Sequence, residues 1–323
     1  MSKRLNLKRA RPHTRRRPAH TAAGWMIVGP WGWFERIVLL ATFASILLAS
    51  LAFWIDYNDR IEARRVNAAT LTEIAASHAA RREEAIARAW TTLTTPAPGN
   101  SGKREAMEYL AAQGVSLSGI DLSCERMGAD WSFNLMRERM ECNAPTALTR
   151  LSLPPRNGQG AVLRGANLSG SDLRVADLRQ AILVETNLFR ALFASADLRS
   201  ANFADANLRD ANLYLANLEG AFIAGADLSG AYLISANLLR ANLWNALLIG
   251  VDVTNANFRE ANLSGADFTG TIGQGQADFS AAWTWHDQPP IGLDPRVAVV
   301  HCQFDPTSHI RTYRPEPCIA PPD

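Results

Sequence analysis

The sequence predicts a mainly β solenoid preceded by a single transmembrane helix and a helical stalk. Three observations predict it. An apolar residue recurs at every fifth position from Ala161 to Gly270. Nineteen uncharged residues run from Ile37 to Ile55, and an Ala-, Arg- and Glu-rich segment joins the two. The chain has 323 residues, enough for one or two domains.

The formal net charge of +2 hides an uneven distribution. Residues 1–36 form a basic tail with nine Lys or Arg against one acid, Glu35, a net of +8. The apolar run 37–55 would span roughly 28 Å as a helix, close to the roughly 30 Å of bilayer hydrocarbon. Its only polar residues are Thr42, Ser45 and Ser50, too few for the polar face of a soluble helix. Trp31, Trp33 and Phe34 before it and Trp54 at its end suit the two interfaces. A cleavable signal would have a shorter apolar core followed by small residues, whereas "WIDYNDRIEARR" follows here, so an uncleaved anchor is expected. The charge bias keeps the N-terminus in the cytoplasm. The expected placement is therefore single-pass in the inner (plasma) membrane, with the repeat domain periplasmic or otherwise extracytoplasmic.

Residues 56–114 read as a stalk. Ile86, Trp90 and Leu93 share one helical face until "TPAPGN" breaks it, and "SGKREAMEYLAAQG" is a second, shorter helix with Ser101 as N-cap. The words "GNSGKRE" lack the first Gly and the hydroxyl of a phosphate-binding loop and read as a helix start.

The run 161–270 divides into 22 units of five without a gap. The central residue is Leu in 16 and Phe in four, Ala stands two places earlier in 19, and Asn or Asp lies between in 16. An α-helix would step successive leucines by about 140° and scatter them around its circumference. A flat strand would alternate them between faces, because five is odd. A short extended piece followed by a bend satisfies the pattern. Leu and Ala, two apart, then point inward together, and repeated bends stack rings into a solenoid. Leu168, Leu188, Phe203, Leu208, Leu228, Phe258 and Phe268 are the expected core.

Tandem A(D/N)LXX resembles the pentapeptide repeat proteins. The resemblance implies a right-handed quadrilateral β-helix with four units and twenty residues per coil. It covers 161–281, with "ADFSA" (277–281) as a slipped last unit. "VSLSGIDLSC" (115–124) and "GADWSF" (128–133) look like a decayed first coil broken by an insertion, 134–160, that would cap one end. At the other end 282–323 form a cap and tail, in which Trp283 and Trp285 precede a double proline expected to stop pairing.

Four cysteines flank the repeat in two pairs. The length of the rod favours Cys124 with Cys142 and Cys302 with Cys318 as disulfides, which suits an exported domain. His301, Cys302, His309 and Cys318 match no common zinc spacing, and no metal or cofactor is expected. Asp177 and Asp197 stack on adjacent coils, but each has an arginine two places on, Arg179 and Arg199, which reads as a charge ladder rather than a catalytic pair. No catalytic residue is assigned.

Some members of the resembled family mimic a DNA duplex and bind type II topoisomerases, which needs a strongly acidic surface. The repeat here holds 11 acids and eight bases, a net of only −3. The basic tail reads as topogenic rather than as a nucleic-acid contact. Sorting outward positions by unit places Leu192, Tyr214, Leu215, Tyr232 and Ile234 on one face, a candidate interaction face for an unknown protein partner or for self-association. Ala41, Ser45 and Ala49 add small-residue spacing in the span. The expected function is a non-enzymatic, membrane-anchored scaffold. A cytoplasm-facing rod binding a cytoplasmic partner such as a topoisomerase is the alternative, and an exported β-helix enzyme the third reading.

Overall fold

The computed structural model describes residues 30–97, 101–134 and 139–302. The basic tail before Pro30, and the C-terminal tail with His309 and Cys318, lie outside the described residues. Two compact units divide the chain, Met1–Ser77 and His78–Asp323.

Helix α1 (Pro30–Thr94) takes in both the apolar run and the first stalk segment without interruption. It is long and apolar enough to cross a membrane, and the residues of its apolar stretch are exposed. It ends where expected, two residues before Pro96. Helix α2 (Lys103–Ala112) follows, and its N-cap is Gly102 at φ 78, not Ser101. Lys103 is 1% exposed, and its Nζ donates to the carbonyls of Thr92, Leu93 and Thr95 at 3.2, 3.2 and 2.6 Å. The ammonium thus satisfies carbonyls that the end of α1 leaves unpaired. Burial pushes its pKa down.

The repeat forms four parallel ladders. Every fifth residue from Val162 to Asp252 bridges the residue twenty further on: Val162↔Ile182 on the first ladder, Asn167↔Asn187 on the second, Asp172↔Leu192 on the third, Asp177↔Asp197 on the fourth. Each unit pairs through one residue before it turns, so the β structure is a set of isolated bridges. The named strands are only three or four residues long, against 65 helical residues in α1. The expected mainly β character holds for the pairing, not for the strand content.

The local cause lies in the pattern itself. From Leu163 on, the central residue of each unit and the small residue two before it are buried, and Leu168, Leu188, Phe203, Leu208, Leu228, Phe258 and Phe268 are all at most 1% exposed. The Asn or Asp between them accepts the N–H two residues on, as Asn202 Oδ1 does from Ala204 and Asp227 Oδ1 from Ser229. That bond nucleates the bend. Asn side chains also chain along a ladder, Asn187 donating to Asn167 and Asn207 to Asn187, both at 3.1 Å. The fifth residue of the unit takes positive φ even where it is not glycine, as at Val175 (60°) and Leu215 (56°).

The first coil is more complete than expected. Leu117, Leu122, Leu148 and Leu153 are its four buried central residues, and Asp121, Ala147 and Ser152 bridge Asn167, Asp172 and Asp177. The inserted residues are therefore 125–145, between the second and third units, and 156–160 after the fourth; of the expected insertion 134–160, residues 146–155 belong to the coil instead. "TALTR" and "LSLPP" conceal two units because Thr146 and Leu151 stand where Ala is usual. Residues 128–133 are not part of a coil either. Strand β1 (Trp131–Asn134) pairs antiparallel with β2 (Arg139–Cys142), and this hairpin lies against the side of the solenoid. Trp131 sits 5.8 Å from the Phe189 ring, and the Arg190 guanidinium 5.6 Å from the Trp131 centroid. The end is covered instead by helix: Leu93 of α1 and Met107 and Leu110 of α2 are fully buried in the same core as Leu117 and Leu122.

At the far end Asp278 bridges Asn257, twenty-one residues away, as a slipped unit should. Strand β3 (Trp283–Trp285) pairs parallel with β4 (Val300–Cys302). The double proline does not stop pairing. Ile291 rejoins the second ladder opposite Asp267, because Pro289 and Pro290 sit in the preceding loop and Ile291 has its own N–H to give to Ala266, at 2.8 Å.

Candidate interaction surface

Burial of the Leu and Ala columns leaves the second, fourth and fifth residues of each unit to make the surface. The third ladder brings Leu192, Tyr214, Leu215, Tyr232 and Ile234 onto one side. Tyr214 and Leu215 are 45% and 48% exposed, and the other three are half-buried. Val175 and Ile272 extend the row at 53% and 61%. Sequence reasoning passed over both: Val175 because it fills a turn position usually held by polar residues or glycine, Ile272 because the run was ended at Gly270. Leu247, Ile249 and Ile291 form a smaller exposed apolar group on the second ladder.

The fourth ladder is laced with charge. Arg179 forks onto Asp177 (2.8 and 2.9 Å) and reaches Asp197 at 3.7 Å, while Arg199 forks onto Asp197 (2.8 and 2.7 Å). The hydrogen bonds from Arg199 hold the Asp197 carboxyl below the usual carboxylate range. General-acid catalysis needs one carboxyl held protonated. Here each carboxylate has its own guanidinium, and the pair is a structural ion ladder.

Asp172 on the third ladder is different, being only 6% exposed. Burial pushes its pKa up, but the Arg174 fork (2.8 and 2.6 Å) and the Arg174 N–H more than offset this, and the net direction is down. A lowered folded pKa contributes stability above the ordinary value of 3.8 that is lost as pH falls through the folded value. Arg174→Met should therefore cost about 2 kcal/mol at pH 7, and the difference from wild type should shrink on acidification through that range. Urea titrations at several pH values check this; a cost that grows toward acid would contradict it.

Cys124 and Cys142 are joined in a disulfide that closes the base of the hairpin, with Cα atoms 5.9 Å apart. Cys302 is also disulfide-bonded, and its expected partner Cys318 lies outside the described residues. Among the described residues no three His, Cys, Asp or Glu side chains converge as a metal site. A groove along the fourth ladder, about 370 Å³, is lined by Arg179, Arg199, Glu219 and Arg240 with small and polar neighbours, an open charged trough rather than an enclosed cleft.

Residues 159–193, 186–222, 196–233, 211–243 and 236–272 match the family model for pentapeptide repeats, in eight copies. Among solved structures, the chain is similar to HetL, a pentapeptide repeat protein involved in heterocyst differentiation regulation in the cyanobacterium Nostoc. The identity is 25%, covering 56% of this chain and 79% of that one, with a TM-score of 0.31. It is similar to full-length QnrB1, a plasmid-mediated fluoroquinolone resistance protein, at 19% identity over 59% and 92% of the two chains, TM-score 0.40. A pentapeptide repeat protein of the Arabidopsis thaliana thylakoid lumen is 36% identical over 33% of this chain and 64% of that one, TM-score 0.23. No curated protein matches the chain.

Proposed function

From the premise that residues 159–272 are pentapeptide repeats, we propose that the chain is a non-enzymatic, membrane-anchored scaffold whose right-handed quadrilateral rod presents the third ladder to a protein. One observation carries the reading. The rod's charges are matched in ion pairs over most of its surface, whereas the side bearing Leu192, Tyr214, Leu215, Tyr232 and Ile234 offers apolar and aromatic groups, the composition enriched in interface centres. Replacing Tyr214 by a photo-crosslinking residue in intact membranes should yield protein adducts, and the same residue at Glu219 on the fourth ladder should not. Equal adducts at both positions would remove the assignment of the face.

The apolar stretch of α1 acts as an uncleaved span of the inner membrane, with the N-terminus cytoplasmic and the rod beyond it. The +8 charge before the span and the disulfides both support this sidedness. A reporter active only in the cytoplasm, fused after Asp323, should be silent. Strong activity would reverse the orientation and favour a cytoplasmic partner.

A further inference from the structure

We propose that Asn157 is a site of spontaneous covalent modification: the chain converts it to isoaspartate without an enzyme, and so lengthens its own backbone in the turn that leads into the repeat. The proposal depends on neither the membrane anchor nor the docking face.

Asn157-Gly158 is the one Asn-Gly pair in the chain. It forms the centre of a tight turn, in which the Arg156 N–H donates to the Gln159 carbonyl at 2.8 Å and the Gln159 N–H to the Arg156 carbonyl at 2.9 Å. Both central residues take positive φ, 51° and 76°, as an Asn-Gly hairpin turn requires. The closing bonds belong to the flanking residues. Asn157 and Gly158 are exposed, and among the described residues neither the Asn157 side chain nor the Gly158 N–H has a hydrogen-bond partner.

The asparagines of the repeat are held differently. Asn187 donates to Asn167 and accepts from the Phe189 N–H, and the Leu188 N–H that follows it is given to the Asn207 carbonyl at 2.8 Å. Asn255 shares the positive φ of Asn157, but the next N–H, of Ala256, is given to the Val253 carbonyl at 2.9 Å. Asn157 alone combines a free amide, a free following N–H and a glycine that puts no side chain in the way.

The chemistry needs only water. Hydroxide takes the Gly158 amide proton and the nitrogen attacks Asn157 Cγ. The new N–C bond forms as the Cγ–Nδ2 bond breaks, and the leaving nitrogen takes a proton from water and departs as ammonia. Water then opens the cyclic imide. Opening at the former main-chain carbonyl leaves the chain running through Cγ, which is isoaspartate; opening at Cγ gives ordinary aspartate.

The isoaspartate link adds one carbon to the main chain, about 1.5 Å of bond. The segment cannot pass that length onward, because Gly160 runs so close to the Gln180 carbonyl that even a Cβ would collide there. The slack comes out instead at the closure between Arg156 and Gln159. This turn lines a cavity of about 570 Å³ together with Gln113 and Val115. The new carboxylate also stands next to Arg156, whose guanidinium donates to the Ala112 carbonyl at the end of α2, 3.4 Å away. Conversion therefore alters the shape and the charge of the cavity as the molecule ages.

The test ages the full chain in detergent at mildly alkaline pH. Peptides are then cut with pepsin in acid, which halts the reaction, and sequenced by fragmentation that tells aspartate from isoaspartate. Conversion at Asn157 should run at least tenfold ahead of Asn187 and Asn255, with isoaspartate the main product. Hydrogen exchange over 156–161 should quicken at least tenfold in the aged chain and stay unchanged over 181–200. Asn157→Gly, which accepts positive φ but has no amide to lose, should show neither change. Fresh Asn157→Asp, with the charge but no added backbone atom, should exchange like the unaged chain. No conversion at Asn157, or an equal pace at Asn187, would overturn the assignment of the site. Aspartate as the main product, unaltered exchange after conversion, or quickened exchange in fresh Asn157→Asp or aged Asn157→Gly would overturn the lengthened turn.

Discussion

Leu208→Asp should lower the stability of the solenoid by at least about 4 kcal/mol, whereas Arg209→Ala, one residue away, should cost about half a kcal/mol. Leu208 is 1% exposed in the axial column, where a carboxylate would find neither water nor a cation. Arg209 stands outside, its side chain 56% exposed and its guanidinium 3.3 Å from Asp227, an ion pair of the kind solvent screens. Neighbouring coils contact only each other, so damage at Leu208 should be greatest in the coils directly above and below. Melting curves of the two variants decide the matter. Similar losses would place both side chains in comparable surroundings and refute the inward assignment of the central residue.

Gly160→Ala should cost roughly 2–3 kcal/mol through overpacking alone. A Cβ at Gly160 would fall on the backbone carbonyl of Gln180, one coil away, and no flexible side chain is there to give way. Gly165 makes the matched control. Its φ of +64 disfavours any side chain, but a Cβ there would meet nothing within 4 Å. Gly165→Ala should thus cost only the roughly 1 kcal/mol of a left-handed backbone. Denaturant midpoints that rank the two the other way would mean that the chain does not enter the first ladder as described.

The core was legible because every fifth residue repeats one physical instruction, and Leu208 or Phe258 could be placed by counting. The turn chemistry was half legible. The Asn or Asp preference was visible, but its bond to the N–H two residues on appears only with the backbone in place. What covers the first coil was not legible. Met107 and Leu110 look like the apolar side of any short helix, and nothing local says that they close a solenoid that begins a few residues later. Lys103 shows the same limit: in sequence it invites comparison with a phosphate loop, and its actual partners are three carbonyls of α1. The two hidden units at 146–155 are a different case. Leu148 and Leu153 keep the period of five, and Thr146 concealed it, its hydroxyl being satisfied in the interior by the carbonyl of Leu122 at 2.9 Å. The candidate face could be sorted by counting in twenties, yet the rank of its members could not, since exposure at Tyr214 and burial at Leu192 depend on neighbouring coils.

The twenty-residue spacing of the ladders has a consequence for how such a chain can change over generations. Loss or duplication of a single unit inside the repeat would carry everything after it to the next side; loss of one unit just before Asp197, for example, would set Asp197 and Arg199 where Leu192 and Ala194 had been. Loss or duplication of four units would shorten or lengthen the molecule and leave every later residue on its own side. Inheritance can therefore edit the reach of this protein in whole coils without rewriting what its surface says, while smaller edits scramble the message and spare the core.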